Sequence, residues 1–293
     1  MERVPFGTTG LTVSRVGLGC GGLGETRVSN ADAERLVLGA VDLGVTFFDA
    51  ARSYGLAEER LGRILASRRD DVVLSTKGGY GVEGVEDWTP AVVTRGIDEA
   101  CARLRTDRID VFHLHSCPVD VALRDGLLDA LARAREAGKL RVAAYSGDND
   151  ALAWAVGSTA FAAVQCSVNV FDQAALRDSV PRAAGRGMGV VAKRPLGNAP
   201  WRFAERPAGQ DAEVTWERMH ALALDPAGMG WDELAVRFAA FAPGVACAVM
   251  GTTSLAHLRD AVAHVAKGGL AEEVKAGIAG RYEAVGREWA GRV

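Results

Sequence analysis

Eight short apolar runs alternate along this chain with stretches whose apolar residues recur at helical spacing, and that alternation restricts the fold more than any single motif. The runs are 16–20, 45–49, 72–77, 109–115, 142–146, 163–166, 189–193 and 247–251. Helix-like stretches at 31–43, 57–67, 90–104, 123–137, 151–156, 173–186 and 231–240 separate them, and 255–266 follows the last. Short β-branched or aromatic runs bounded by glycine and polar turns read as buried strands. Eight strand and helix units close into a (β/α)8 TIM barrel of the α/β class, whereas a doubly wound sheet usually stops near about six strands. No linker rich in Pro, Gly and Ser divides the chain, so a single domain over 1–293 is expected.

Additions to the barrel are legible at both ends. Pro5-Phe6-Gly7-Thr8-Thr9-Gly10-Leu11 has the glycines of tight turns and predicts a short N-terminal β-hairpin. Extended loops follow the third strand (78–89, with Tyr80 and Trp88) and the seventh (194–210, with Trp201), then a possible helix over 211–224. A final helix over 271–289 closes the sequence. Loops at strand carboxyl ends build the pocket of such a barrel, and their aromatic residues either line it or pack the loops to the rim.

The bulk numbers narrow the class. A net charge of -3 with scattered Lys and Arg gives no nucleic-acid surface. No apolar run has the length of a bilayer span and the start lacks a signal peptide's apolar core, so a cytoplasmic protein is expected. Five cysteines without CxxC spacing read as reduced thiols, and no metal site is expected.

Four side chains stand at equivalent places. Asp49 ends the second strand, Tyr54 lies just beyond it, Lys77 ends the third and His115 ends the fourth. Asp49 has two readings, as a cap for the helix that follows and as a group facing a cavity at the strand ends. His113 and His115 are read as divided, one in packing and one elsewhere. The glycine-rich Gly21-Gly22-Leu23-Gly24 after the first strand lets a ligand approach the backbone or merely supplies a turn, and is not the dinucleotide fingerprint of a doubly wound sheet.

Over nearly its whole length the chain resembles the aldo-keto reductase superfamily, in the manner of its bacterial members. The residues that carry the likeness are Val16-Gly17-Leu18-Gly19, Thr46-Phe47-Phe48-Asp49-Ala50-Ala51-Arg52-Ser53-Tyr54-Gly55 with Glu58 and Leu61-Gly62, Ser75-Thr76-Lys77, and Leu104-Arg105-Thr106-Asp107-Arg108-Ile109-Asp110 running on to His115. The resemblance implies catalysis by Asp49, Tyr54, Lys77 and His115 with NADPH, or NADH, as cofactor. It matches the nicotinamide-amide clamp to Ser146, Gly147 and Gln165, with Gly147 where an asparagine is usual and Asp148 or Asn149 as substitutes. Lys193, Arg194 and Leu196 fall where many members stack an aromatic ring. Gly251-Thr252-Thr253, with His257 and Asp260 beyond, fall at the turn for the adenosine phosphate, and Gly21 is counted among the cofactor-binding residues. Cys20, Trp88, Cys117 and Trp201 are candidate pocket walls.

The residue types also suit the chemistry. Carbonyl reduction needs a hydride at carbon and a proton at oxygen; a tyrosine beside an ammonium is a suitable proton donor, and a histidine orients the oxygen. The expected function is NADP(H)-dependent reduction of small or aromatic aldehydes and ketones to alcohols, without nucleic acid or membrane as partner. A cofactor-binding regulatory barrel with little turnover is the alternative. A nonredox lyase or isomerase using Lys77 is a further one.

Overall fold

In the computed structural model, which describes residues 1–124 and 126–292, ten strands form. Asp125, within the helix expected over 123–137, and Val293, the last residue of the expected domain, lie outside the described residues. The first two strands, β1 (Arg3–Pro5) and β2 (Thr12–Ser14), pair antiparallel as the expected hairpin. The other eight are β3 (Val16–Gly19), β4 (Phe47–Asp49), β5 (Val73–Gly78), β6 (Ile109–His115), β7 (Leu140–Ser146), β8 (Ala163–Ser167), β9 (Gly189–Lys193) and β10 (Cys247–Gly251). They close into one parallel barrel in the order β10-β3-β4-β5-β6-β7-β8-β9.

Side-chain parity along the strands sorts the core into two layers. Leu18, Phe48, Leu74, Phe112, Leu114 and Val164 face outward and pack in one cluster with the helices. Phe47, Val73, Val111, Val142, Ala163 and Val191 form a separate inner cluster that fills the floor of the barrel. The hairpin plugs that floor: the Phe6 ring lies 5.9 Å from the Phe47 ring, and a Cβ on Gly189 would come within 2.6 Å of Phe6. Alternation then carries the inward face from Phe47 to Asp49, from Val73 to Ser75 and Lys77, and from Val111 to His113 and His115. Above an apolar floor, the inner residues at the carboxyl ends are therefore polar.

Three helices depart from expectation for local reasons. The stretch expected over 57–67 is α-helical for Ala57–Leu65 and tightens into a 3-10 segment, Ala66–Asp71, where Arg68 leaves helical geometry. The stretch expected over 173–186 splits into Ala174–Arg177 and Ser179–Gly185. Pro181 accounts for the break, because it has no N–H for the carbonyl of Arg177 and its ring would clash there. Within the stretch expected over 123–137 the helix runs Leu127–Glu136, entered through Gly126 at φ +82°, and a separate short helix, Val119–Ala122, precedes the stretch.

Candidate active site

The strand ends converge as the register requires. Asp49 pairs with Ser75, Lys77 with His113, His115 with Ser146 and Ser146 with Gln165, around successive strands. Lys77 Nζ donates to Asp49 Oδ2 at 2.6 Å and to the Ala50 carbonyl at 2.8 Å. Ser75 Oγ donates to Asp49 Oδ1 at 2.8 Å and Gln165 Nε2 to Asp49 Oδ2 at 2.9 Å. Ser146 Oγ in turn donates to Gln165 Oε1 at 3.0 Å. Asp49 is thus the acceptor at the centre of a closed network and not a cap: the helix that follows it, Ala57–Leu65, is entered through Leu56 without any side-chain cap bond.

Tyr54 sits over this pair, with Lys77 Nζ 5.0 Å from its ring centre. The His115 ring stands edge-on to Tyr54 at 6.1 Å between centres. Burial alone would lower the Lys77 pKa, but the charges of Asp49 and Tyr54 outweigh it and hold the ammonium above its ordinary range. Burial likewise acts against the Asp49 charge, and Lys77, His113 and two hydrogen bonds overcome it, leaving the carboxylate below its ordinary value. For Tyr54, burial raises the pKa and Lys77 only opposes it. The Lys77 charge favours the phenolate but burial outweighs it, so at neutral pH the phenol keeps its proton.

The two histidines share one face, correcting the expectation that they divide. Residues two apart on a strand point the same way, and both enter the barrel at different depths. His113 is buried, with Nε2 3.1 Å from Ser75 Oγ. Burial pulls its pKa to about 3, and that of His115 to about 4 with help from the Lys77 charge. Both are neutral imidazoles at pH 7.

The remaining candidates fall into three groups. At one side, Gly251, Thr253, His257 and Asp260 are exposed, and Thr252 Oγ1 accepts from Ser254 N at 3.0 Å, just before helix Leu255–Ala266. Gly21 has open space where a side chain would be, and a Cβ on Gly22 would lie 2.9 Å from Thr253 Cγ2, so two backbone turns form a cradle. On the other side, Gly147 has no room for a side chain, since a Cβ would lie 2.6 Å from the Tyr145 ring. Lys193 pairs with Asp148 at 2.8 Å, and Leu196 is half-buried against the core.

The chain's own tail binds several residues there. Asn149 Nδ2 donates to the Gly291 carbonyl at 2.9 Å while Gly291 N donates to Asn149 Oδ1 at 2.7 Å. Arg194 Nη1 donates to the Arg292 carbonyl at 2.9 Å, and Arg292 N to Asp172 Oδ2 at 2.8 Å. The segment after helix Glu272–Val285 thus crosses the ends of three barrel strands.

Among the proposed pocket walls, Trp88 packs on Tyr80 at 5.4 Å. Trp201 stacks on Trp231 at 6.0 Å and lies near Phe171, in a cluster beneath the loop that follows β9. Cys20 and Cys117 are wholly buried; Cys20 N donates to the Asp49 carbonyl at 2.8 Å, and the Cys117 carbonyl accepts from Tyr145 Oη at 2.7 Å. Burial pushes the Cys117 thiol up to about 12. The sequence reading gave Ser75 no role of its own and Tyr80 only that of a loop aromatic that lines the pocket or packs the rim. Parity with Lys77 was a usable signal for Ser75; Tyr80, in an irregular loop, gave none beyond its ring.

The closed barrel gathers a lysine, an acid, a tyrosine and a histidine at its carboxyl end, and comparison with known proteins gives its family. The aldo/keto reductase family model matches residues 15–279, and the chain belongs to that family. It is 32% identical over 213 aligned positions to L-galactose dehydrogenase of Arabidopsis thaliana, a match covering 67% of this chain and 66%, just under two thirds, of that protein. It is 25% identical to the uncharacterized oxidoreductase YqkF of Bacillus subtilis, over 94% of this chain and 95% of the relative. A Pseudomonas aeruginosa structure provisionally assigned as an aldo-keto reductase superposes with TM-score 0.73 at 28% identity, covering 90% and 95% of the two chains. The holo form of a Bacillus halodurans aldo-keto reductase shares the fold with TM-score 0.82 at 23% identity, covering 96% of each chain. Among the described residues no helix is long and apolar enough to cross a membrane, and no group of three His, Cys, Asp or Glu side chains is placed to hold a metal.

Proposed function

We propose that this chain reduces the carbonyl group of small or aromatic aldehydes and ketones to alcohols with NADPH as cofactor, NADH being the alternative. The observation that carries this reading is the buried Lys77–Asp49 pair beneath a protonated Tyr54, with a neutral His115 edge-on to it. The exposed glycine cradle of Gly21, Gly22 and Gly251 to Thr253 fits a dinucleotide's phosphates, because bare backbone at a helix N-terminus suits an anion. The amide end fits through Ser146 and Gln165, and departs at Gly147. A bound nicotinamide would supply hydride to the carbonyl carbon.

The protein's residues handle the oxygen. Tyr54 gives its phenolic proton to the developing alkoxide, and Lys77, held protonated by Asp49, stabilises the phenolate left behind. His115 hydrogen-bonds the carbonyl oxygen and orients it. Ser75 and Gln165 hold Asp49 in place through the bonds described above.

A Schiff-base role for Lys77 is disfavoured by the same pair, since that chemistry needs a neutral amine and this ammonium is held charged. A cofactor-binding barrel with little turnover is the second reading. Fluorescence titration with NADPH and then NADH, followed by loss of nicotinamide absorbance with a panel of aldehydes, separates the readings. Binding with turnover supports reduction, binding without turnover supports the regulatory barrel, and no binding withdraws both.

A further inference from the structure

Beyond the four residues at the strand ends, a second tyrosine touches the site. Tyr80 Oη lies 2.8 Å from His115 Nδ1 and 3.3 Å from Ser53 Oγ. Its ring stacks on the imidazole with 5.7 Å between centres and 24° between planes. We propose that Tyr80 is a positioning residue that fixes His115 as the tautomer with its proton on Nε2, so that Nε2–H is the donor offered to a substrate oxygen.

His115 is neutral near pH 7, for reasons of burial and the nearby Lys77 charge, so it carries one ring proton, and the question is which nitrogen holds it. A phenol also has a single proton. Given to Nδ1, it makes the shorter contact a hydrogen bond, and the Ser53 hydroxyl then donates to the phenol oxygen. The opposite arrangement makes Nδ1–H the donor and sends the phenol proton along the longer contact to Ser53. A phenol is a better donor than a neutral imidazole N–H, and an imidazole nitrogen is the better acceptor. Acidity therefore favours Ser53 to Tyr80 to Nδ1, which leaves the proton on Nε2.

The loop holding Tyr80 is built to keep it there. Trp88 packs against the Tyr80 ring, and Trp88 N donates to the Gly79 carbonyl at 2.7 Å. Gly79 sits at φ +122°, where a Cβ would come 2.3 Å from the Trp88 ring, so this close approach needs glycine. Trp88 itself has φ +60°, an uncommon conformation for a bulky residue and one that persists only where the surroundings enforce it. From the barrel side, Arg52 Nε donates to the Gly81 carbonyl at 2.6 Å, and Arg52 is anchored to Glu99 at 2.5 Å. Asp87 accepts from Gly81 N at 2.7 Å. The tyrosine is therefore presented by a braced loop, and stacking holds the imidazole plane while the hydroxyl sets its proton.

The consequence for catalysis rests on the carbonyl-reduction reading, but the tautomer itself does not. The test is a long-range proton–nitrogen NMR correlation on the full 15N-labelled chain at pH 7, without cofactor or substrate, with the His115 signals among the five histidines identified by their loss in His115→Gln. The expected result is a protonated Nε2 and an unprotonated Nδ1 in the wild type, and a mixture of tautomers in Tyr80→Phe, which keeps the ring. A wild-type proton on Nδ1, or an unchanged tautomer in a folded Tyr80→Phe, would overturn the assignment. Ser53→Ala, which leaves the phenol free to donate to Nδ1, is expected to keep the Nε2–H form, and loss of that form would also count against it. With a reducible aldehyde, Tyr80→Phe should lower kcat roughly tenfold, less than the about 10²- to 10³-fold typical of deleting an oxyanion donor. Should the wild type turn over no carbonyl while showing the expected tautomer, the reductase reading falls and the role of Tyr80 stands.

Discussion

Lys77 and Asp49 form an ion pair of 2.6 Å in which the two side chains are only 2% and 6% exposed, and the two partners are unequally supported. Asp49 also accepts from Ser75 and Gln165, whereas the other bond of Lys77 is to one carbonyl. Asp49→Ala strands an ammonium and two further donors, while Lys77→Met leaves a carboxylate that keeps two hydrogen bonds. Breaking a buried pair typically costs about 3–5 kcal/mol. Asp49→Ala should fall in that range and Lys77→Met below it, measured by urea unfolding. The reverse order would mean that the network does not centre on Asp49.

For turnover the proposed reaction sets a different expectation, because in it Tyr54 as proton donor and the Lys77 ammonium act as one unit. Tyr54→Phe should lower kcat by about 10²- to 10⁴-fold. Adding Lys77→Met to Tyr54→Phe should cost little more, since residues acting together are strongly non-additive. Single-turnover kinetics on the three variants would check this; multiplicative losses would separate the two roles.

Gly24 carries the turn that presents Tyr54. A Cβ there would lie 1.6 Å from the Tyr54 carbonyl oxygen, and Leu56 N donates to the Gly24 carbonyl at 3.0 Å. Gly24→Ala should destabilise by about 1–3 kcal/mol or more, as overpacking does, and displace Tyr54. A thermal melt and an activity assay should both drop; a variant with unchanged activity would show that the turn can shift without moving the phenol.

Acid should weaken the fold partly through His113. Its pKa is near 3 when folded against an ordinary 6.5, so the unfolded chain binds the extra proton between those values. Stability is therefore retained above about pH 6.5 and lost as the pH falls through the window toward the folded pKa, by at most about 1.4 kcal/mol per pH unit for one group. His113→Gln should flatten the slope of unfolding free energy against pH between 6 and 4. An unchanged slope would assign acid sensitivity to other groups.

The barrel was legible because its signals are local and repeated. Strands β6, β9 and β10 and helices Pro90–Leu104, Trp231–Ala240 and Leu255–Ala266 have the expected boundaries, each marked by a cap, a glycine or a clear change of period. Residues Asp49, Lys77 and His115 were findable because strand ends are fixed points of the fold. What escaped has a physical reason. The break before Pro181 depends on a single ring against a carbonyl, and the shared face of His113 and His115 needed strict parity counting. The ties from Asn149 and Arg194 to residues 291 and 292 span 142 and 98 positions and leave no periodic trace. The two tryptophans went different ways, Trp88 to the site loop and Trp201 into a ring cluster, a distinction set by loop paths that composition does not encode.

The stitching of residues 290–292 across the barrel's open end also has a practical side. Arg218 Nη2 donates to the Ala290 carbonyl at 2.7 Å, joining the bonds from Asn149, Arg194 and Asp172, so this end of the chain lies at the doorway. Met1, by contrast, lies beside Gly44 on the floor side, near the hairpin. A purification handle or surface tether belongs at Met1, where it leaves the entrance clear. If the proposed function holds, a fluorophore placed at residue 292 would sit beside the strand ends that take the ligand, turning the tail into a reporter of binding.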